Sequence, residues 1–392
     1  MKKKCIIILF SIIALSTLSS IAYSENDELV ELQYYQEHYK KTHNFRNKGY
    51  PKTDSPDYQK LIELGKKQGE EAKALAILIN NNREAELKGK TVGRNDLKNI
   101  PKFDVYNYPL IDGSTSAIPL SLILACKIMD LEYRWIRTDR IHERAVGVNR
   151  LVAADNNKRL NDIVTNVITK HTGTNTAYMN LIDKKVNILL VARKPSEDEL
   201  KAAQTAQIEF EYVPIARDAF VFIENRINPM RCLTTEKIKG IYSGKYINWQ
   251  EIGGENIKIT AFQRERNSGS QEMMISEFMK DTPIKEPLPN LVVMQMDGPY
   301  FGLTEQVYGI AYSVYYYEHF QAVSPYTRLI EVDGVLPSYE TIRTKHYPYS
   351  TDVYAVIRKD ELKDSPARIL YQWLQTEDGQ KIVRESGYVP VY

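Results

Sequence analysis

The sequence predicts a two-lobed α/β protein, and three observations support that prediction. After residue 105, short runs rich in β-branched and aromatic residues alternate with helical runs, which is typical of a mainly parallel sheet with crossover helices. The chain has 392 residues, more than one core usually serves, so two lobes are expected. Loops rich in hydroxyl groups and glycine follow predicted strands, where open sheets bind ligands.

The first 24 residues are typical of a secretory signal peptide. Lysines at positions 2–4 precede an apolar run, and Ala22-Tyr23-Ser24 places small residues where a signal peptidase needs them. The alternative is an uncleaved membrane anchor, because the apolar run approaches the length that spans a bilayer. Cys5 stands before that run, which does not suit a lipid-accepting cysteine. We therefore expect a periplasmic or secreted protein.

Charge and cysteine content exclude several classes of function. Without residues 1–24, which hold three lysines and no acid, the formal charge changes from 52 − 50 = +2 to 49 − 50 = −1, so no nucleic-acid partner is predicted. Six histidines form no cluster at ligand spacing, so we predict no metal and no cofactor. Cys126 and Cys232 could pair in an exported protein, although two separate buried thiols fit their sequence contexts equally well.

Residues 25–105 differ from the rest of the chain in being polar and rich in Lys, Glu and Asn. The stretch after Ser55-Pro56 carries apolar residues at a spacing that suits one or two amphipathic helices. These are Leu61, Ile62, Leu64, Leu75, Leu78 and Ile79. We predict an N-terminal helical extension that packs on the outside of the main fold.

From residue 106 onward the elements can be assigned in order. A strand, a loop and a helix are predicted by NYPLIDGSTSAIPLSLILACKIMD, in which Pro119 is acceptable in the first helical turn. A buried strand is predicted by VNILLVAR, and two short strands by YVPIARDAFVFIEN. Further strands are predicted by IKITAF, VYGIAYSVYYY and DVYAVIRK.

Three loops share one chemistry, since each is rich in hydroxyl groups and each enters a predicted helix. The unpaired N–H groups and partial positive charge of a helix N-terminus favour an anion, and small residues let that anion approach the backbone. The first loop is Asp112-Gly113-Ser114-Thr115-Ser116; the second runs through Thr172, Gly173, Thr174, Asn175 and Thr176; the third contains Arg264, Arg266, Ser268, Gly269 and Ser270.

Each loop taken alone is also a common helix cap. If the fold brings the three together, a small tetrahedral oxyanion would be held mostly by N–H and O–H dipoles. Ser114 or Ser268 could be a nucleophile, but the chain has no G-x-S-x-G elbow and no histidine beside either loop. Neither GSTS nor NSGS has the lysine that a P-loop requires. We predict that the protein is not an enzyme and has no catalytic residues.

The stretch from YVPIARDAFVFIENRINPMRCLTTEKIKGIYSGKYINWQEIGG to QRERNSGSQ resembles the phosphate-binding proteins of ABC importers, a branch of the type II periplasmic-binding-protein fold. The similarity extends from residue 106 to residue 392 and includes DGSTSAIPLS and the closing SPARILYQWLQTEDGQKIVRESGYVPV. The resemblance implies two α/β lobes that close on an anion. The implied boundaries are residues 106–225 and 318–392 for the first lobe and 226–317 for the second.

The resemblance also assigns residues to the anion site. It implies ligand-binding roles for Ser114, Thr115, Ser116, Thr174, Asn175, Thr176, Arg264, Ser268, Gly269 and Ser270, with Arg266 directed elsewhere. Phosphate binders usually place a serine or an aspartate after the strand that corresponds to VNILLV, and this chain has Val191-Ala192-Arg193-Lys194 there. Arg193 could add charge to the pocket, but an outward-facing Arg193 and Lys194 are the more ordinary interpretation. Tyr315-Tyr316-Tyr317 could line a site, and alternation along a strand explains them equally well.

The sequence thus predicts an exported, monomeric receptor that takes phosphate or a related oxyanion to the permease of an ABC transporter. The missing acceptor after VNILLV leaves the preferred anion open. An alternative is that the same fold serves as an interaction or sensor module with a degenerate cleft. A phosphatase built on this fold is a third hypothesis.

Overall fold

The computed structural model describes residues 74, 76, 77, 79–141 and 146–391. These residues belong to one compact unit, Ile62–Tyr392. The predicted signal peptide and most of the predicted helices of the extension lie outside the described residues. Within the described residues, no helix combines the length and the apolar character needed to cross a bilayer.

The described strands form one large mixed sheet and three small sheets. The large sheet has the order β1-β4-β14-β5-β10-β7, and β12 and β15 also pair with β5. The strands are β1 Ile111–Gly113, β2 Tyr133–Ile141, β3 Val146–Ala153, β4 Ile188–Val191, β5 Phe210–Asn225, β6 Cys232–Leu233, β7 Thr260–Ala261, β8 Gln263–Arg264, β9 Val292–Val293, β10 Gly309–Val314, β11 Ala322–Val323, β12 Thr327–Leu329, β13 Glu331–Val332, β14 Ser350–Arg358 and β15 Val389–Pro390.

Helices separate most of the strands, as the sequence predicts. Residues 79–88 are helical and are called α1. The other helices are α2 Ile118–Met129, α3 Lys158–Ile163, α4 Thr174–Ile182, α5 Glu197–Thr205, α6 Thr235–Tyr242, α7 Gly269–Met273, α8 Gly298–Glu305, α9 Tyr339–Arg343, α10 Pro366–Trp373 and α11 Glu377–Glu385. A 3₁₀ turn, Thr115–Ala117, leads into α2, and a π-helical turn, Met274–Met279, continues α7.

Two large apolar cores are buried on either side of the middle of β5. The first core takes most of its members from residues 97–216 and 353–388, including most of the buried residues of α2. The second core takes most of its members from residues 219–347, among them Phe220, Phe222 and Phe278. Since Ala216 belongs to the first core and Ala219 to the second, β5 passes from one core to the other within a few residues.

The structure corrects three predictions about the strands. The segment predicted as two short strands is the single strand β5 of 16 residues, because successive halves of it pair with different strands, β14 and β10. The sheet is mixed, not mainly parallel: β1 pairs with β4 and β7 with β10 in parallel, whereas the pairs of β14 with β4 and of β5 with β14 and β10 are antiparallel.

The third correction concerns the tyrosine run. Tyr315 and Tyr316 are helical, and Tyr317 opens a π-helical turn, Tyr317–Gln321, so alternation along a strand does not explain them. Tyr316 packs in the first core, and its two neighbours pack in the second. The run is buried where the chain changes cores.

The two cysteines among the described residues, Cys126 and Cys232, are not paired. Cys126 is buried in α2, and burial raises the pKa of its thiol to about 12. Cys232 is exposed, so the prediction of two separate thiols is confirmed, but the expectation that both are buried is wrong.

Candidate functional site

The first two loops meet beside the end of β1. Thr169, just before the second loop, forms a parallel bridge with Ile111 of β1. β1 also runs parallel to β4, so the residues that follow these two strands lie at the same edge of the sheet. Ser114 follows β1, and its hydroxyl lies 2.7 Å from the hydroxyl of Thr174, at the start of α4. The N–H of Ala192, just after β4, donates to the Ser114 Oγ at 2.9 Å. Both Ser114 and Thr174 are buried.

Asp112 fixes the first loop against the second. Its carboxylate is fully buried and accepts from the N–H of Gly113, from the N–H and hydroxyl of Thr172, and from the side-chain amide of Asn180, at 2.7–2.8 Å. The sequence analysis did not assign Asp112 this role. The available clue was an acidic residue at the end of an otherwise apolar strand, which must be hydrogen-bonded if it is buried.

The third loop touches the second across the boundary between the two cores. A Cβ built on Gly269 would lie 2.4 Å from the Thr174 Oγ1, so any larger residue at 269 would require the Thr174 side chain to move. The Ser268 hydroxyl caps its own helix by accepting from the N–H of Gln271 at 3.2 Å. Next to it, the Ser270 hydroxyl is buried and has no hydrogen-bond partner. The structure therefore brings Ser114, Thr174 and Gly269 together, one from each predicted loop.

The N-termini of the Thr115 turn and of α4 carry backbone N–H groups that can donate to an anion. Neither the turn that begins at Thr115 nor the helix that begins at Thr174 has a side-chain cap. Their first N–H groups have no partner within the helix, and the dipoles of these helices favour negative charge there. Such an arrangement can bind an oxyanion without a large excess of cationic side chains.

The other predicted site residues are less central. The Thr115 carbonyl accepts from the Gln321 side chain at 3.3 Å, and Ser116 is buried beside the first core. The Asn175 side-chain amide donates to Glu199 at 3.1 Å. Thr176 is exposed.

Arg264 is buried, and its guanidinium is held by uncharged acceptors. Nε donates to the carbonyl of Val293 at 3.1 Å, and Nη2 donates to the carbonyl of Met294 at 3.0 Å. Nη1 lies 3.1 Å from the sulfur of Met296. Burial lowers the pKa of Arg264, with opposing contributions from Tyr312, Glu265 and others. Arg266 is exposed, and its predicted direction away from the site stays a prediction.

Arg193 is not the outward-facing residue that the sequence favoured. It is only 3% exposed and forms a bidentate pair with the fully buried Glu199, with both N–O distances at 2.8 Å. Burial alone would lower the pKa of Arg193, but the hydrogen bonds and charge of Glu199 outweigh it and raise that pKa. Lys194 is exposed. The strand end turns Arg193 inward because Glu199, on the first turn of α5, offers a buried partner.

A family model described as a PBP superfamily domain matches residues 148–375, more than half of the chain. The chain belongs to the PBP superfamily. Among curated relatives of this PBP superfamily member is the phosphate-binding protein PstS of Borreliella burgdorferi, 20% identical over 224 residues, which are 56% of this chain and 77% of the relative. Protein SphX of Synechococcus elongatus is 21% identical over 259 residues, 62% of this chain and 74% of the relative.

A solved structure supports the fold of this PBP superfamily member. It is that of a putative phosphate ABC transporter substrate-binding protein with bound phosphate from Clostridium perfringens. The two share a TM-score of 0.51 and 22% identity, over 73% of this chain and 100% of the other. The fold is therefore the α/β type II periplasmic-binding-protein fold that the resemblance implies, and the family supports a solute-binding role.

Proposed function

We propose that this protein is an exported receptor that captures phosphate or a related tetrahedral oxyanion between two lobes and delivers it to an ABC transporter. The observation that carries the proposal is the meeting of Ser114, Thr174 and Gly269, which come from three loops that each enter a helix. Two of the similar proteins support this choice of anion: one is named a phosphate-binding protein, and the other was solved with bound phosphate.

In this proposal each lobe is built around one of the two apolar cores and keeps the bounds that the resemblance implies, although the second core also takes in Phe222, Ile330 and Tyr347 from outside residues 226–317. The first lobe comprises residues 106–225 and 318–392, and the second comprises residues 226–317. The anion would bind at the helix ends contributed by Ser114, Thr115, Ser116, Thr174, Asn175 and Thr176 from one lobe and by Ser268, Gly269 and Ser270 from the other, with Arg264 supplying the charge. Because the close contact at Gly269 exists only when the lobes are together, the anion would favour the closed state by bridging them.

The donors and acceptors around these loops bear on which oxyanion is preferred. Two buried carboxylates beside the first two loops, Asp112 and Glu199, already accept four hydrogen bonds each from the chain. Neither has an oxygen to spare for the proton of hydrogen phosphate. Without a carboxylate that requires this proton at the two loops, the site does not penalise sulfate, which has no proton to place. We therefore propose that the receptor accepts sulfate as well as phosphate.

Calorimetry on the mature protein with phosphate, arsenate and sulfate tests this proposal. We expect heat and a thermal shift with each anion. The Thr174→Val variant should weaken every anion about tenfold through the loss of one buried donor, while Thr205→Val, an exposed threonine of α5, serves as the matched control. If the protein binds phosphate but not sulfate, only the proposal that it also accepts sulfate is refuted. No binding of any anion would refute the receptor function.

One observation favours a second candidate, an interaction or sensor module with a degenerate cleft. The Ser114 and Thr174 hydroxyls satisfy one another, and the Arg264 guanidinium is bound to carbonyls of its own lobe. A cleft whose polar groups already have hydrogen-bond partners in the protein needs no anion in order to close. Two results together would support the interaction or sensor module: the protein binds no anion, and loss of its gene leaves the uptake of labelled phosphate unchanged.

A further inference from the structure

The described part of the extension packs against the place where the chain passes between the two cores. After β10, Tyr315 packs in the second core, Tyr316 in the first, Tyr317 in the second and Phe320 in the first. We call residues 315–323 the crossing segment. Any separation of the two cores must change the surroundings of this segment, because its side chains are divided between them.

Helix α1 holds the backbone of the crossing segment. The Arg83 guanidinium donates to the carbonyl of Glu318 at 2.9 Å and also to the carbonyl of Ala322. One turn further, Glu86 accepts from the ring of His319 at 2.8 Å. Burial alone would raise the pKa of Glu86, but hydrogen bonds from His319 and Lys90 outweigh it and lower that pKa to about 2. Glu86 is therefore ionised at neutral pH.

The residues after Glu86 reach both cores. Leu87 packs against the first core, and the N–H of Val92 donates to Glu385 of α11 at 2.9 Å. The Lys90 ammonium lies 4.5 Å from the ring centre of Tyr339, which packs against the second core, and 5.8 Å from that of Phe320 in the first. Cation–π contacts of this kind favour the arrangement in which both rings stay near the ammonium.

We propose that residues 79–92 act as a brace, which stabilises the closed arrangement of the two cores by binding the crossing segment. The inference rests on the proposed function in that it assumes lobes that open and close. Its direction follows from the contacts: Thr174 meets Gly269 in the same structure in which the brace contacts both cores. Loss of a brace contact should therefore raise the population of the open state.

The brace precedes residue 106, where the resemblance to phosphate-binding proteins begins. Its contacts with the crossing segment and with α11 do not involve the three loops that meet at Thr174. A receptor with a brace should release its ligand more slowly than the same receptor without one. The brace would raise the affinity of the receptor for its ligand without contacting that ligand.

The test measures the distance between the lobes in the full-length protein without any anion. Spin labels at Glu197→Cys and Ser276→Cys, both at exposed positions on opposite sides of the proposed cleft, report that distance by pulsed electron paramagnetic resonance in a Cys5→Ser/Cys232→Ser background. Brace variants are Glu86→Gln and Lys90→Met. Glu84→Gln and Lys88→Met are the matched controls, because Glu84 and Lys88 lie on the exposed side of the same helix.

We expect each brace variant to raise the longer-distance population about two- to tenfold, the range that one lost polar contact gives, and the controls to match the parent protein. Stopped-flow release of phosphate should accelerate by the same factor in the brace variants. Unchanged distance distributions in both brace variants would overturn the brace. Altered distances without any anion binding would leave the brace standing and refute the receptor function.

Discussion

Arg193 and Arg264 are both buried beside the loops that meet at Thr174, yet their partners differ. Arg193, just after β4, is neutralised by the Glu199 carboxylate, which also accepts from Asn175. Arg264, at the end of β8, is held by two carbonyls and a thioether, none of which carries a net charge. A buried cation with a carboxylate partner is a structural element, whereas a buried cation with dipolar partners retains charge that an anion can use.

Residue type and position at a strand end therefore do not determine the role of an arginine. Arg193 stands where the family resemblance made an acceptor the expectation, and it recruits Glu199 from the next helix instead. Arg264 keeps the position that the resemblance assigns to the anion-binding arginine. The comparison therefore predicts a stability defect for one variant and a binding defect for the other.

The largest effect is expected for Arg193→Gln. The change leaves the fully buried Glu199 without its cation, so the free energy of unfolding should fall by about 3–5 kcal/mol. Urea denaturation of the variant measures this loss. The double variant Arg193→Met/Glu199→Leu should recover part of it, since no unpaired charge remains. A single variant as stable as the parent protein would show that the pair contributes nothing.

Asp218 differs from Glu199 in being a buried carboxylate that is hydrogen-bonded by backbone N–H groups and not by a cation. Asp218 lies in β5 near the point where the strand changes cores, and its Oδ1 accepts from the N–H groups of Ala219 and Tyr316 at 2.8 and 2.9 Å. Its Oδ2 has no hydrogen-bond partner. Burial raises the pKa of Asp218 from 3.8 to about 7, although the two backbone hydrogen bonds oppose the shift.

Because that pKa is raised, the folded state holds a proton that the unfolded state has lost between about pH 4 and pH 7. Stability should therefore fall as pH rises through this window. Asp218→Asn should raise the free energy of unfolding at pH 8 by up to roughly 4 kcal/mol, at 1.36 kcal/mol per pKa unit, and change it little at pH 4. Denaturation curves at the two pH values measure the difference. An equal effect at both would contradict the raised pKa.

Arg264→Gln should weaken phosphate binding by about 2 kcal/mol, close to thirtyfold, through the loss of a charge-assisted contact. Its effect on unfolding should be smaller than that of Arg193→Gln, because its partners are neutral. Calorimetry and urea denaturation on the same preparation give both numbers. An unchanged affinity would mean that the anion site has been placed wrongly.

The smallest effect is expected for Ser268→Ala, which removes the cap of α7. The loss should be about 1 kcal/mol in stability, as for other serine caps. Ser114→Ala is the useful contrast, since Ser114 forms no cap and instead contacts Thr174. Thermal unfolding and anion titration together separate the two serines. Both serines belong to the proposed anion site, but the Ser268 hydroxyl is already engaged as a cap, so the larger loss of anion affinity is expected in Ser114→Ala. Equal losses of affinity in the two variants would contradict this difference.

The sequence predicted the class of fold and the three loops that enter helices, because strand ends, small residues and helix starts are local features. The expectation that the loops meet came from the family resemblance. It did not predict the pairing of Arg193 with Glu199 or the role of Asp112, since each depends on side chains that come together only in the folded chain. The continuous strand β5 was missed for the same reason: its two halves are stabilised by different partners far along the sequence. The assignment of individual residues to anion binding stays a prediction.

The contact at Gly269 has a practical consequence. Since a methyl group there would overlap the Thr174 side chain, an alanine at 269 would act as a spacer that keeps the two halves of the protein slightly apart. A single added carbon thus offers a way to trap the receptor in a partly opened form for crystallisation. The distance between residues 174 and 269 in that variant would show how far the two lobes must separate before the proposed anion can leave.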